Sequence, residues 1–99
     1  MCIRDSLTTG GTGLTPTDVT PEATRAVLER EAPGIAEAVR RYGAQEVPTS
    51  VLSRGLAGTV SRTLIVNLPG STGGVRDGLA VLGRLLPHIV SQLRGGDHG

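Results

Sequence analysis

Thr63-Leu64-Ile65-Val66-Asn67-Leu68-Pro69-Gly70-Ser71-Thr72-Gly73-Gly74 runs from a continuous apolar stretch into a glycine-rich loop, and a long apolar-striped segment follows it. The apolar run is β-branched at Ile65 and Val66 and does not alternate, which fits a strand buried in a parallel sheet better than a half-exposed one. Val75, Leu79, Leu82, Leu86, Ile89, Val90 and Leu93 then recur at helical spacing. Pro87 is expected to kink or split that helix near Leu86, because proline lacks an N–H and crowds the carbonyl four residues back.

The same order appears once before. Leu7 leads into Thr8-Thr9-Gly10-Gly11-Thr12-Gly13, and Asp18-Val19-Thr20-Pro21-Glu22 reads as a helix start. Thr20 suits the N-cap, Pro21 the first turn, and Glu22 the positive end of the helix dipole. This helix is expected to reach about Glu31. Pro33 opens a second, with Ile35, Ala36, Val39 and Tyr42 on one face and Gly43 closing it. Glu37 precedes Arg40 and Arg41 at pairing distance and predicts an exposed, charge-paired face. Pro48 to about Arg54 reads as a short helix, and Gly58 to Ser61 as a turn. Together these elements predict an α/β fold: a three-layer α/β/α sandwich with a mostly parallel sheet. Both glycine loops follow a strand and precede a helix, so both fall at the carboxyl edge of the sheet, where ligands bind in such folds.

Met1 to Ser6 is polar, although it leads into a loop that ordinarily follows a buried strand, and is read as a non-native leader. Residues 7–94 are then a partial domain, incomplete at its N-terminus, and 95–99 a flexible tail. The 99 residues fit a single domain with a modest core. Ten basic residues, all arginine, stand against nine acidic ones, so no broad charge field favours nucleic acid or an acidic membrane. Tyr42 is the lone aromatic, which leaves no stacking platform for bases. A single cysteine, Cys2, gives neither an internal disulfide nor a cysteine zinc site. No apolar run approaches the roughly 20 residues of a membrane span, and the compartment expected is the cytoplasm.

The first loop presents backbone amides that glycine leaves uncovered, with hydroxyls from Thr8, Thr9 and Thr12, and suits phosphate or a pterin-type heterocycle. It is neither a Walker loop nor the dinucleotide fingerprint. By itself it is equally a tight strand-to-helix turn. Asp18 can help hold Mg²⁺ between phosphates or can simply cap the helix. Ser71 and the amides of Gly70, Gly73 and Gly74 are a second ligand wall or a turn with a cap. Ser53 and Arg54 are evenly balanced between a site and a surface helix end. His88 reads as structural or solvent-facing and His98 as part of the tail. No serine–histidine–aspartate set supports covalent hydrolysis.

In combination these blocks carry more. Thr8 to Gly13 with Asp18-Val19-Thr20-Pro21-Glu22-Ala23-Thr24 closely resembles the signature of the MogA/MoaB family of molybdenum-cofactor synthesis. Pro33-Gly34, Ser53-Arg54, Ala57-Gly58 and Leu64 to Ser71 match later family blocks in order and spacing. The insertase and CinA-type relatives of this fold match less well. The resemblance implies a molybdopterin adenylyltransferase, a nucleotidyltransferase that moves AMP from Mg·ATP to the molybdopterin phosphate and releases pyrophosphate. It implies Mg²⁺ as the metal, ATP and molybdopterin as substrates, a homotrimer, and a molybdenum insertase downstream. Carried over by position, Thr9, Gly10, Gly11, Thr12 and Gly13 would cradle pterin or phosphate. Pro69, Gly70 and Ser71 would line the opposite wall, and Asp18 would be the catalytic, Mg²⁺-positioning carboxylate. A second acidic residue of the family lies in the missing front part, and the present chain is expected to be inactive alone. Thr72 stands where many members have proline. The alternative is a non-catalytic molybdopterin-binding or assembly protein on the same fold, a silent MoaB-like or CinA-like form.

Overall fold

The computed structural model describes residues 4–95. Met1–Ile3 of the expected leader and residues 96–99 of the expected tail, His98 included, lie outside the described residues.

Strand β1 (Arg4–Thr9) is followed by helix α1 (Thr20–Val27), the two-residue strand β2 (Arg30–Glu31) and helix α2 (Pro33–Ala44). A 3₁₀ turn, α3 (Pro48–Leu52), leads into the hairpin β3 (Ala57–Val60) and β4 (Thr63–Leu68), and α4 (Thr72–Leu93) is the last of the described elements. The sheet order is β1-β4-β3-β2. β1 and β4 are parallel, in a register that sets Arg4 opposite Thr63 and Thr9 opposite Leu68, whereas β3 runs antiparallel to both β4 and β2.

The described sheet is therefore mixed. The parallel pair that the two strand-loop-helix units predict is present, and a hairpin has been added to it. Gly58 misleads here. It reads as a turn residue, but it lies in mid-strand because β2 passes so close that a Cβ would overlap the Arg30 carbonyl oxygen. The turn falls one step later, at Ser61-Arg62, with Ser61 at φ 53°. α1 stops at Val27, short of Glu31, because the next backbone groups pair with β3: Glu29 N–H donates to Thr59 at 3.0 Å and Ala32 N–H to Ala57 at 2.8 Å. Arg4, Asp5 and Ser6, read as leader, occupy the first half of β1. Polar residues fit there because β1 is the outer strand of the described sheet, and Asp5 and Ser6 are exposed.

Alternation along β4 builds the layers. Leu64, Val66 and Leu68 point to one face and join Ala36 and Val39 of α2, Ala57 of β3, and Val81 and Leu82 of α4 in the core. Asn67 points to the other face, where α1 lies; its side-chain amide donates to Thr24 Oγ1 and Thr8 Oγ1, each at 2.9 Å, and its Oδ1 accepts from Leu56 N–H at 3.0 Å. These contacts give the α/β/α sandwich.

α4 remains continuous through Pro87. Pro87 and Gly83, whose carbonyl loses its partner, are both exposed, so water takes that carbonyl and the helix is not split. The buried stripe centres on Gly78, Val81 and Leu82, with Leu79 turned outward at 47% exposure. Gly78 sets this rotation, since a Cβ there would lie 2.5 Å from Leu68 Cδ2.

Candidate functional site

Two loops leave the carboxyl ends of the parallel pair: loop 1 (10–19) after β1 and loop 2 (69–71) after β4. Gly10 and Gly11 have φ of +85° and +70°, a region that side chains with a Cβ disfavour. The Gly10 N–H donates to the Leu68 carbonyl at 3.0 Å, which ties the loops together at their roots. A Cβ on Gly70 would lie 3.2 Å from Gly10 Cα, so the two backbones are in contact. At Gly11 a Cβ would overlap Thr20 Oγ1, and the Gly11 carbonyl accepts from Thr20 N–H at 3.1 Å. Thr20 is thus the first residue of α1 and packs under the loop. The N-cap position is Val19, without a side-chain cap.

Above this junction opens a cleft of about 730 Å³. Thr12 and Gly13 form one wall, and Pro69, Gly70 and Ser71 the facing one. Glu46, Ser50, Ser53, Arg76 and Asp77 complete it. Of the residues singled out in the sequence, Thr12, Gly13, Ser53, Pro69, Gly70, Ser71, Gly73 and Gly74 line the cleft. Thr9, Gly10 and Gly11 lie beneath it, where they join strand to loop. Ser71 Oγ accepts from Gly74 N–H at 3.0 Å and caps α4. That amide is therefore occupied, whereas the first-turn amides of Thr72 and Gly73 have no partner within an α-helix and remain for a ligand.

Asp18 is not among the residues lining the cleft; its carboxylate abuts Gly13, 2.8 Å from where a Cβ would stand. Its Oδ2 accepts from Thr15 Oγ1 at 2.6 Å and from Thr15 N–H at 3.1 Å. The Thr15 hydroxyl first, then the Thr15 amide, hold this carboxyl below the ordinary aspartate range, with a smaller contribution from the Arg54 charge, so it is ionised near neutral pH. It is an ionised acid beside Gly13, held within its own loop.

Of the pair Ser53 and Arg54, Ser53 lines the cleft and Arg54 does not; the Arg54 side chain turns to loop 1 and α1. Its Nε donates to the Gly13 carbonyl at 2.8 Å and its Nη2 to the Asp18 carbonyl at 2.6 Å, while Nη1 meets Glu22 Oε2 at 2.6 Å. Its backbone N–H donates to the Thr12 carbonyl at 2.7 Å. The hydrogen bond from Arg54 is the main reason that Glu22 stays ionised below its usual range, and Glu22 in turn raises Arg54. Arg40, expected on a charge-paired outer face, instead turns inward, and its Nη1 donates to the Gly55 carbonyl at 2.9 Å and the Ser53 carbonyl at 3.4 Å. Glu46, Arg76 and Asp77 escape the sequence reading because nothing local marks them. Helical spacing offered one signal: Asp77 falls three and four residues beyond Gly74 and Gly73, above the capped turn. His88 is exposed on α4. No group of three or more potential metal-ligating side chains occurs among the described residues, and none of their helices is long and apolar enough to cross a membrane.

Residues 6–88 match the family described as "Probable molybdopterin binding domain". The chain is 40% identical over 89 residues to a molybdopterin adenylyltransferase of Helicobacter pylori, covering 90% of this chain and 51% of that protein. The solved Mog protein of Mycobacterium ulcerans is 58% identical with a TM-score of 0.88, covering 91% of this chain and 59% of that one. MoaB of Thermus thermophilus is 53% identical with a TM-score of 0.83, covering 92% and 57%. The chain thus spans little more than half the length of these three proteins. On a family match across most of the sequence and these likenesses in sequence and fold, the chain belongs to the MogA/MoaB family of molybdopterin-binding domains.

Proposed function

We propose that the protein is a molybdopterin adenylyltransferase: a phosphate oxygen of molybdopterin attacks the α-phosphorus of Mg·ATP, and the bond to pyrophosphate breaks. The observation that carries this reading is the contact of Gly10 with Gly70 beneath a cleft whose two facing walls are glycine-loop backbone. Pterin and phosphate then lie between Thr12-Gly13 and Pro69-Gly70-Ser71. The Thr72 and Gly73 amides, at the positive end of α4, face phosphate charge. Adenylyl transfer depends mainly on alignment and on neutralising phosphate charge, which fixed amides supply without reorganising. Mg²⁺ arrives with ATP. Such a metal would take one or two carboxylates and the rest of its shell from phosphates and water, and Asp18, ionised beside Gly13 of the cleft, would be one of them. In the same reading the protein is a cytoplasmic homotrimer that passes adenylylated molybdopterin to a molybdenum insertase.

A binding-only role is the second reading, and the tethering of the Asp18 carboxylate to Thr15 favours it. The two separate on one assay. Pyrophosphate release from molybdopterin and Mg·ATP is compared for wild type and Asp18→Asn of the full-length protein, since the present chain is expected to be inactive alone, alongside molybdopterin affinity. The transferase reading expects turnover that falls about 100-fold or more in the variant while affinity changes little. Molybdopterin binding without turnover in the wild type leaves only the binding role.

A further inference from the structure

We propose that Arg54 is the positioning residue of this site: its guanidinium clamps the carbonyls of Gly13 and Asp18, which bracket residues 14–17 of loop 1, and so fixes where the Asp18 carboxylate stands relative to the cleft. The inference rests on the proposed role of Asp18 and adds to it a residue that never touches substrate.

Between Gly13 and Asp18 the chain makes an excursion of exposed residues, Leu14 to Thr17, with Leu14 66% exposed. Hydrogen bonds inside it, from Asp18 N–H to the Thr15 carbonyl at 2.9 Å and from Thr15 to the Asp18 carboxylate, close a turn but do not tie that turn to the rest of the fold. The Gly13 and Asp18 carbonyls are its two feet, and one planar guanidinium bonds both, at 2.8 and 2.6 Å. A fork of fixed geometry sets the distance between two acceptors, which a lysine ammonium cannot do. The third arm meets Glu22, in the first turn of α1, and thereby orients the fork from the helix side. Arg54 is itself held on both flanks. Arg40 on α2 bonds the carbonyls of Ser53 and Gly55, Ser53 Oγ accepts from Gly55 N–H at 3.2 Å, and the Arg54 amide is fastened to Thr12. A chain of contacts therefore runs from α2 through residues 53–55 to the feet of loop 1. The final link, from Asp18 to Thr15, lies inside the loop. Gly13 lines the cleft and Asp18 does not. The relation between these two residues is accordingly what places the carboxylate, and Arg54 sets it.

The test compares wild type with Arg54→Met, Arg54→Lys and Asp18→Asn in the full-length protein, using amide hydrogen exchange together with pyrophosphate release from molybdopterin and Mg·ATP. In Arg54→Met the amides of residues 11–18 should exchange about tenfold faster, while those of β4 and α4 stay within about twofold of wild type. Turnover should fall about 10- to 100-fold with little change in KM for molybdopterin. Arg54→Lys keeps the charge and the fold, yet should restore neither the exchange protection nor the turnover. Adding Arg54→Met to Asp18→Asn should cost less than about threefold more, since Arg54 acts through that one carboxylate. Unchanged exchange in loop 1, full rescue by lysine, or losses that multiply in the double variant would each overturn the clamp. If wild type releases no pyrophosphate, the adenylyltransferase reading falls, and the exchange comparison still decides the clamp.

Discussion

At the residue scale, Gly11 is fixed more tightly than any other position in loop 1. Its φ of +70° and the Thr20 hydroxyl that occupies its would-be Cβ position both demand glycine. Gly11→Ala should therefore cost about 1–3 kcal/mol, measured by urea denaturation, because strained φ and overlap act together. Gly34→Ala is the control: no heavy atom lies within 4 Å of a Cβ there, and a value near zero is expected. Glycine at 10 and 11 was legible in the sequence because a positive φ leaves a residue-type signature. The carboxylate bonds were not. Asp18 and Glu22 are held below their ordinary pKa by Thr15 and Arg54 respectively, and a pairing 32 residues apart has no local mark. The consequence for pH follows from the sign. The unfolded chain takes up these protons first, near pH 4, so the stabilisation is complete at neutral pH and declines on acidification through the lower folded values. Stability measured from pH 7 down to pH 3 should fall, and fall less steeply in Thr15→Val, which removes the larger cause at Asp18.

At the element scale, legibility followed periodicity and failed at pairing. β4, α2 and α4 were read nearly to their ends because Leu64 to Leu68, Ile35 to Tyr42 and Val75 to Leu93 repeat over enough residues to fix a face. β2 and β3 were missed for a shared reason. Arg30-Glu31 is too short and too charged to show a pattern, and Gly58 carries a turn signal while serving a close strand contact. Each strand exists because the other offers it hydrogen bonds, which is information outside any short window. In α4, Leu82 is 2% exposed and packs on β4, whereas Leu79 is 47% exposed. Leu82→Ala should cost about 2–5 kcal/mol and Leu79→Ala under about 1 kcal/mol in chemical denaturation. Equal costs would mean that the helix is rotated from the orientation that Gly78 imposes.

At the scale of the whole molecule, the cleft exists only when distant segments pair. Gly10 and Gly70 are sixty positions apart, and they touch because β1 and β4 run parallel with Thr9 beside Leu68. This juxtaposition was legible through topology: two strand-loop-helix units in one sheet must bring their loops to one rim. It did not disclose the third side of the cleft, since Glu46 and Asp77 arrive from elements whose placement depends on how α2 packs against α4. Because no single segment carries the site, a ligand that binds it binds the folded state alone and stabilises the entire domain by mass action. Molybdopterin at ten times its Kd should add about 1.4 kcal/mol and raise Tm by roughly 6–11 °C for a domain of this size. Gly70→Val should abolish that rise, because its side chain would intrude on Gly10, where even a Cβ stands at 3.2 Å. A substitution at exposed His88 on α4 should leave the rise intact. A rise that survives Gly70→Val would place the ligand away from the rim where the two loops meet, and the proposed binding walls would fall with it.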